Sequence, residues 1–387
     1  MSEHHAPADF DPAFKVAAGR TAPGCIAAEG QDLFLVEARQ VGPHLKEAVV
    51  GEGADGAIWR LASDEGLHLN GTDLAPFPLG FFNAGLQSDL QQRIVSAALK
   101  HGVPLSSLAL TLATEYSLSG SFIAGTGRGY AEGVEVGVDA ASTAPRSEIE
   151  ALVREAMAAS PAFALLRVPV QNTFSLVCNG RRRDPSTLAA STAPTPADPF
   201  LKYSKPPARS DEPGIVGDPI VRTADKTPDT ASVAGSAKNA AGRVTWKVNG
   251  EGSRDFATGL YHSRVALNRA GATVFAFTTD ETASGRAPTG LTHISAAVAF
   301  CYMTQLSRYI DGMKLPIRGV RLVQMSPWGV RDGTGEAFAY DTHLFMQGEA
   351  DDETFETLQR IAAATCYLHR SMETETPVTL GVSLNGA

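Results

Sequence analysis

Two cysteines are the residues of this chain best suited to covalent chemistry. Cys301 lies in the apolar run GLTHISAAVAFCY, and Cys366 lies 65 positions later in ATCYLHRSM. A thiolate is a nucleophile that can be oxidised to a sulfenic acid, and a second cysteine within reach converts that acid to a disulfide. The two residues could form such a redox pair. The alternative is that both are small buried hydrophobic residues, a common role of free cysteine.

The surroundings of the two cysteines recur earlier in the chain without the sulfur atoms. The run PLGFFNAGLQSDL matches GLTHISAAVAFCY at an offset of 212 positions, so that Asp89 corresponds to Cys301. After a net loss of six residues, Ser160 corresponds to Cys366. Two ungapped blocks of matching pattern indicate a duplication, and its long period indicates two domains rather than a solenoid. We therefore expect one working site and one half that serves as scaffold.

Composition limits the classes of function. A length of 387 residues is enough for two or three domains, each with its own core. The net charge of −9 and the lack of a face rich in lysine and aromatic residues make nucleic acid an unexpected partner. No apolar run reaches membrane-spanning length, and the polar start MSEHHAPADF does not resemble a signal peptide. Four cysteines are too few for a disulfide scaffold, so we expect a cytoplasmic protein.

The pattern divides the chain into four segments. Residues 1–30 are predicted to be a loose N-terminal segment, and residues 31–180, called the first half below, form a domain that lacks both cysteines. Residues 181–240 form a disordered linker, and residues 241–387, the second half, form the domain with the cysteine pair. The linker prediction depends on runs such as TAPTPADPF and SKPPARSDEPG, which cannot form an amphipathic face.

Both halves share one order of predicted elements: a strand pair, a buried helix, further strands, a second helix and a final strand. In the first half, the long helix runs from Pro78 to near Lys100, and the second helix begins at Ser147. In the second half, the helices are predicted over 291–309 and 352–367. Two long helices beside a mostly antiparallel sheet predict an α+β fold in each half.

This ordered set resembles the OsmC/Ohr family of osmotically induced and organic hydroperoxide resistance proteins. LASDEG followed by NGTDLAPFPLG resembles the family's approach to its cysteine helix, and HISAAVAFC resembles that helix. CYLHRSMETETPVTLGVSL resembles the second-cysteine helix and the final strand, so that the resemblance covers roughly 45–180 and 255–386. It implies a thiol-dependent peroxidase that reduces organic hydroperoxides. Cys301 would attack, Cys366 would resolve, and a dithiol would serve as reductant.

The resemblance also implies a cation beside the attacking sulfur. The family's arginine from the early strands corresponds to Arg269 in VALNRAGATVFAF, with Arg264 as the alternative. The family has a glutamate ten residues before the attacking cysteine, and this chain has Leu291 there. His293, two residues on, could replace the glutamate as general base or ion partner, or it could be a core histidine.

Single-domain members of the family form intertwined homodimers with sites at the subunit interface. A tandem chain is accordingly predicted to form an intrachain pseudo-dimer in which the first half covers Cys301. Phe77, Phe81 and Phe82 would then line the substrate pocket, or pack in the core. The resemblance leaves open a further homo-oligomer.

Two other functions stay open because the family's glutamate is missing. One is a cysteine-dependent hydrolase or lyase acting on a small metabolite, with His293 or His369 as the base. The other is a non-catalytic protein that binds an apolar ligand or senses redox state. No cofactor or metal is predicted, since CxxC is absent and GTGRG and GEGADG lack the strand–turn–helix context of a nucleotide fingerprint.

Overall fold

The architecture is that of an α+β protein, as predicted. A computed structural model describes residues 10–17, 29–228, 238–282 and 284–386. Within these ranges the chain forms seven α-helices and two sheets.

The first sheet draws its strands from both halves. Its members are β1 (Ala13–Lys15), β2 (Asp32–Gln40), β3 (Lys46–Gly51), β4 (Ile58–Ser63), β7 (Thr173–Cys178), β8 (Arg181–Arg183), β13 (Ile317–Arg331), β14 (Thr334–Glu336) and β15 (Asp341–Gly348). They lie in the order β1-β4-β3-β2-β13-β15-β7-β8, with β14 paired to β13. Strands of the second half therefore lie inside a sheet that begins and ends with strands from elsewhere in the chain.

The second sheet shows the same exchange. Its members are β5 (Ser107–Ser119), β6 (Arg128–Ala141), β9 (Ile220–Lys226), β10 (Val244–Arg254), β11 (Tyr261–Leu267), β12 (Thr273–Thr279) and β16 (Val378–Leu384). Their order is β16-β6-β5-β10-β11-β12-β9. Neighbours are antiparallel except β15–β7 and β16–β6, which are parallel pairs that join the two halves. Neither half completes a sheet by itself, so the two halves are intertwined.

Seven helices pack with these sheets in the described part of the chain. They are α1 (Pro78–His101), α2 (Arg146–Ala159), α3 (Pro161–Arg167), α4 (Phe200–Tyr203), α5 (Gly290–Met313), α6 (Asp352–Thr365) and α7 (Tyr367–Met372). The long helices α1 and α5 begin and end within a few residues of their predicted bounds. Their backbones lie very close together at the crossing. A Cβ atom added at Gly85 would lie only 2.5 Å from the carbonyl oxygen of Gly290, so a larger residue would not fit there.

The second helix of each half is broken at one position, Cys366 in the second half and the corresponding Ser160 in the first. The helix predicted over 352–367 ends at Thr365, and α7 starts after Cys366, whose backbone is extended. In the first half the same break falls at Ser160, where Pro161 starts α3, a position that proline tolerates. The prediction of one continuous helix was therefore wrong, and the break turns Cys366 toward the long helix.

The prediction of a disordered linker is wrong for the residues that the structure describes, up to residue 228. Tyr203 is buried, and its hydroxyl donates a hydrogen bond of 2.6 Å to the carbonyl oxygen of Glu37. Ile220 is also buried, and its strand β9 pairs with β12. Long-range contacts thus order a segment whose own sequence favours no regular element. Residues 229–237 lie outside the described residues.

The N-terminal segment is described only in part. Within the predicted loose region, β1 pairs with β4 of the first sheet. Residues 1–9 and 18–28, which include Cys25, lie outside the described residues.

Candidate active site

Cys301 lies on the wall of a cavity of about 330 Å³. The first half contributes Glu65 and Phe77 to the lining, and the second half contributes Arg269 and Tyr367. Strand β9, from the segment between the halves, adds Arg222 and Lys226 to the mixed polar and apolar lining. Both halves and the segment that joins them therefore build the surroundings of this one sulfur.

The structure brings the two predicted redox cysteines into contact. Burial acts to raise the pKa of Cys301, but hydrogen bonds from Cys366 and from the backbone N–H groups of Leu368 and Tyr367 outweigh burial and lower that pKa. Burial and the neighbouring Cys301 sulfur raise the pKa of Cys366. Of the two thiols, Cys301 is therefore the one that ionises first, with the Cys366 thiol as its hydrogen-bond donor. Cys366 is fully buried and lies outside the residues that line the cavity.

A buried lysine from the first half supplies positive charge beside this pair. The Lys46 ammonium donates a hydrogen bond of 2.7 Å to the Thr304 hydroxyl and lies 3.7 Å from the Glu65 carboxylate. Thr304, one turn beyond Cys301, donates a hydrogen bond of 2.7 Å to the same carboxylate. Burial lowers the pKa of Lys46, while the charges of Glu65, Asp64 and Cys301 oppose that change. A fully buried lysine requires such a partner, so Lys46, Thr304 and Glu65 form one network.

Sequence reasoning missed both charged members of this network. Glu65 lies in LASDEG, which was matched to the family motif without a role for its glutamate. Lys46 gave no signal, since a lysine near the start of a strand is ordinarily exposed. Its burial follows from α5 of the second half lying against β3 of the first.

Arg269 lies at the cavity, in the turn between β11 and β12. Arg308, two turns beyond Cys301 on α5, also lines the cavity. Arg222 lies 2.9 Å and Lys226 3.7 Å from the Asp73 carboxylate, so these two cations are paired at the cavity wall. Arg264, the alternative to Arg269, forms an ion pair with Asp225 and does not line this cavity.

The structure places His293 away from the cavity. Its imidazole is fully buried between the rings of Phe81 and Phe277, with centroid distances of 5.6 and 5.4 Å. Neither ring nitrogen has a hydrogen-bond partner among the described residues, and burial lowers the pKa of His293 to about 3. The core alternative therefore describes His293, and the role of base or ion partner beside Cys301 does not.

The three phenylalanines proposed for the pocket divide into two groups. Phe77, just before α1, lines the cavity. Phe81 and Phe82 lie on α1 and are buried outside the lining, with Phe81 packed against Phe277 and Phe300. The proposed lining role is thus wrong for Phe81 and Phe82, because the turn of the helix directs them into the core between the halves.

The matching position in the first half holds a different arrangement. The Ser160 hydroxyl donates a hydrogen bond to the Asp89 carboxylate, and Arg93 lies 3.3 Å from the other oxygen of that group. Ser160 also accepts a hydrogen bond of 2.9 Å from the backbone N–H of Phe163 and so caps α3. Both Asp89 and Ser160 are buried. A hydrogen-bonded oxygen pair thus replaces the sulfur pair.

Each half also sends two side chains onto the long helix of the other. Asp64-Glu65 follows β4 and Asp280-Glu281 follows β12. Glu65 contacts Thr304 of α5. Glu281 makes the equivalent contact with α1, where its carboxylate accepts a hydrogen bond of 2.6 Å from the Ser88 hydroxyl. Tyr261, at the start of β11, donates a hydrogen bond to Gln92 of α1. In the same way Lys46, at the start of β3, donates a hydrogen bond to Thr304 of α5.

The described helices include none that is long and apolar enough to cross a membrane. The described residues contain no cluster of three or more His, Cys, Asp or Glu side chains that could bind a metal ion.

Comparison with known proteins finds no matching family model and no matching curated protein. Among solved structures, the chain is similar to an OsmC-like hydroperoxide resistance protein from Jannaschia sp. CCS1, with 19% identity and a TM-score of 0.25. The match covers 40% of this chain and 98% of that protein.

Proposed function

We propose that this protein is a thiol-dependent peroxidase that reduces organic hydroperoxides. The observation that carries the proposal is the position of the two sulfur atoms relative to the cavity. Cys301 lines the cavity, and the buried Cys366 lies within hydrogen-bond reach of it. A substrate in the cavity meets the sulfur whose pKa is lowered, and the second thiol is already placed to condense with the oxidised product.

The proposed reaction has three steps. The Cys301 thiolate attacks the terminal oxygen of the hydroperoxide, the O–O bond breaks, and the sulfur becomes a sulfenic acid, while the departing alkoxide takes up a proton and leaves as the alcohol. Cys366 then attacks the Cys301 sulfur, so that an S–S bond forms, the S–O bond breaks and the oxygen departs as water. An external dithiol reduces the disulfide and returns both thiols. A reducing cytoplasm is the compartment in which we expect this cycle to run.

The wall of the cavity suits such a substrate. Trp246, Phe275 and Tyr367 offer apolar surface to the organic group. Arg269 on the wall supplies positive charge, and so does Lys46, whose charge interacts with that of Cys301. In this proposal Glu65, which arrives from the first half, takes the part of the glutamate that the sequence lacks at Leu291. The chain then acts as an intrachain pseudo-dimer in which the first half completes the site of the second.

One contact favours a second candidate function. The His369 imidazole lies 3.3 Å from the Cys366 sulfur, a pairing that cysteine hydrolases and lyases also use. Cys366 does not line the cavity, however, so a carbon electrophile there would meet Cys301 first. The peroxidase cycle uses both sulfurs, and we prefer it for that reason.

Thiol titration before and after cumene hydroperoxide tests the proposal. Wild-type protein is expected to lose two thiols per chain rapidly, and Cys301→Ser is expected to lose none. Cys178→Ser is the matched control, because Cys178 is buried at the end of β7 and burial raises its pKa to about 12. Unreactive thiols would favour the non-catalytic binding protein. A low-pKa Cys301 that ignores hydroperoxide would favour the hydrolase or lyase.

A further inference from the structure

The resolving cysteine has an imidazole neighbour that the first half does not reproduce. His369 lies one turn beyond Cys366, with Nδ1 3.3 Å from the Cys366 Sγ. The ring is fully buried, and the rings of Phe174 and Tyr302 each lie 5.2 Å from it. At the offset that relates Ser160 to Cys366, the first half has Phe163. The half with Cys301 and Cys366 thus has a histidine at this position, and the half with Asp89 and Ser160 has a phenylalanine.

The hydrogen bonds around Cys366 fix the direction of this contact. A thiol has one hydrogen, and Cys366 donates it to the Cys301 sulfur. With that hydrogen engaged, the 3.3 Å contact is assigned as a hydrogen bond from the His369 Nδ1–H to the Cys366 Sγ, the tautomer that the proposal below requires. Burial lowers the pKa of His369 to about 3, so the ring is neutral and carries one N–H. Nε2 has no hydrogen-bond partner among the described residues, which is consistent with that N–H being on Nδ1.

We infer that His369 is a catalytic residue of the disulfide-forming step, in which its Nδ1–H stabilises the Cys366 thiolate that attacks oxidised Cys301. The inference rests on the proposed peroxidase function and adds a residue to it. Backbone N–H groups of His369 and Leu368 direct two further donors at the same sulfur. Hydrogen bonds to an ionised acceptor are the strong ones, especially in a site that excludes water.

The protons balance along this sequence. When Cys301 attacks the hydroperoxide, the hydrogen that Cys366 shared with it passes to the departing alkoxide, which leaves as the alcohol. Cys366 is then the thiolate, held by His369, and Cys301 is the sulfenic acid. Attack forms the S–S bond and releases hydroxide, which solvent in the cavity protonates. Thiolate, thiol and hydroperoxide thus give disulfide, alcohol and hydroxide.

Single-turnover kinetics of the full chain with cumene hydroperoxide separate the two steps. Hydroperoxide consumption reports the first step, and loss of the second thiol reports the disulfide. His369→Leu keeps the approximate size of the side chain and removes the donor. It is expected to leave the first step unchanged and to slow the second roughly ten- to hundred-fold. His369→Asn, whose amide N–H can replace the Nδ1–H, is expected to recover most of that loss.

The possible outcomes are distinct. Disulfide formation at the wild-type rate in His369→Leu overturns the inference, and so does an Asn variant as slow as the Leu variant, since either result removes the donor role. If Leu prevents folding, His369→Phe repeats the comparison with the residue found at Phe163. Wild-type protein that loses no thiol to hydroperoxide would instead overturn the proposed function. Trapping of a long-lived sulfenic acid in the Leu variant supports the inference directly.

Discussion

Where the long helix meets the broken helix, the second half carries Cys301 and Cys366, and the first half carries Asp89 and Ser160. Both pairs are buried and joined by a hydrogen bond. The comparison separates two requirements. Packing at this junction needs two small groups that satisfy each other's hydrogen bonds, which either sulfur or oxygen can do. Thiol chemistry needs in addition a cavity and a neighbouring positive charge.

The side chains that cross between the halves differ in the same way. The second half's helix receives Lys46 and Glu65, one positive and one negative group. The first half's helix receives Tyr261 and Glu281, so that a hydroxyl occupies the place of the ammonium. The crossing geometry is therefore kept in both halves, and what differs is the crossing group itself, an ammonium at α5 and a phenol at α1.

Removing the attacking sulfur is the largest change that can be made to this comparison. Cys301→Ser is expected to abolish hydroperoxide consumption, because it leaves the second half with no ionised sulfur at the cavity, as in the first. Cys366→Ser should still consume one equivalent and then stop in the absence of an external thiol. Consumption of hydroperoxide followed by absorbance distinguishes the two, and steady turnover by Cys301→Ser would contradict the assignment.

Removing the buried lysine is expected to affect both stability and reactivity. Lys46→Met leaves the Glu65 carboxylate buried without its ammonium, which costs about 3 kcal/mol in the free energy of unfolding. It should also raise the pKa of Cys301 and slow its reaction with hydroperoxide at neutral pH. Denaturant unfolding and the pH dependence of thiol alkylation measure the two effects.

Tyr261→Phe is the matched control from the other half. It removes the hydroxyl that donates to Gln92, at a cost of about 1 kcal/mol, and should leave Cys301 unchanged. Equal losses of thiol reactivity in Lys46→Met and Tyr261→Phe would show that the lysine charge has no special part.

Glu281 is expected to make stability depend on pH. Burial raises its pKa from 4.5 to about 7, against hydrogen bonds from Ser88 and Gly290. Below pH 4.5 the carboxyl is protonated in both folded and unfolded chains and contributes nothing. As pH rises from 4.5 to 7 the unfolded chain ionises first, so the folded state loses stability, and the loss is complete above pH 7.

The full shift of the Glu281 pKa corresponds to about 3 kcal/mol, and partial exposure of the residue reduces the expected loss to about 1–2 kcal/mol. Glu281→Gln should recover that stability at pH 8 and flatten the pH profile of urea unfolding. Glu349→Gln, at an exposed carboxyl paired with Arg318, is the control and should leave the profile as it is. An unchanged profile in Glu281→Gln would contradict the raised pKa.

An effect on stability alone is expected at the helix break of the first half. Ser160→Ala removes the cap of α3 and the hydrogen bond to Asp89, and should cost about 1–2 kcal/mol. Cys366 makes no side-chain cap of α7, so Cys366→Ala is expected to cost less. Urea unfolding of both variants tests this, and a larger loss for Cys366→Ala would reverse the comparison.

The sequence predicted what depends on local pattern. The helices α1 and α5 follow from long apolar runs that begin at or next to a proline or glycine. The break at Cys366 escaped because ATCYLH contains no proline or glycine, although Pro161 marks the matching break. The resemblance to a known family pointed to Cys301 and Cys366 as a pair, and the structure places these two residues in contact.

What escaped prediction depends on distant parts of the chain. Lys46 is buried because α5 covers it. The segment before residue 228 is ordered because Tyr203 and Ile220 are buried against other parts of the chain. Spacing within one segment carries no information on such contacts. His293 and Phe81 were misplaced for a related reason, since residue type alone does not show which face of a long helix meets the cavity and which meets the other half.

The pairing of β16 with β6 has a consequence for how the protein comes into being. The Ser142 N–H donates to the Asn385 side chain across 243 residues of sequence, and β16 occupies the edge of a sheet whose next two strands belong to the first half. During synthesis, strands β5 and β6 emerge long before their final neighbour exists. Such non-local pairing forms slowly and leaves unpaired strand edges exposed meanwhile. Synthesis must therefore reach β15 before the first sheet is complete and β16 before the second sheet is complete. Thiol reactivity at Cys301 should appear only after that point.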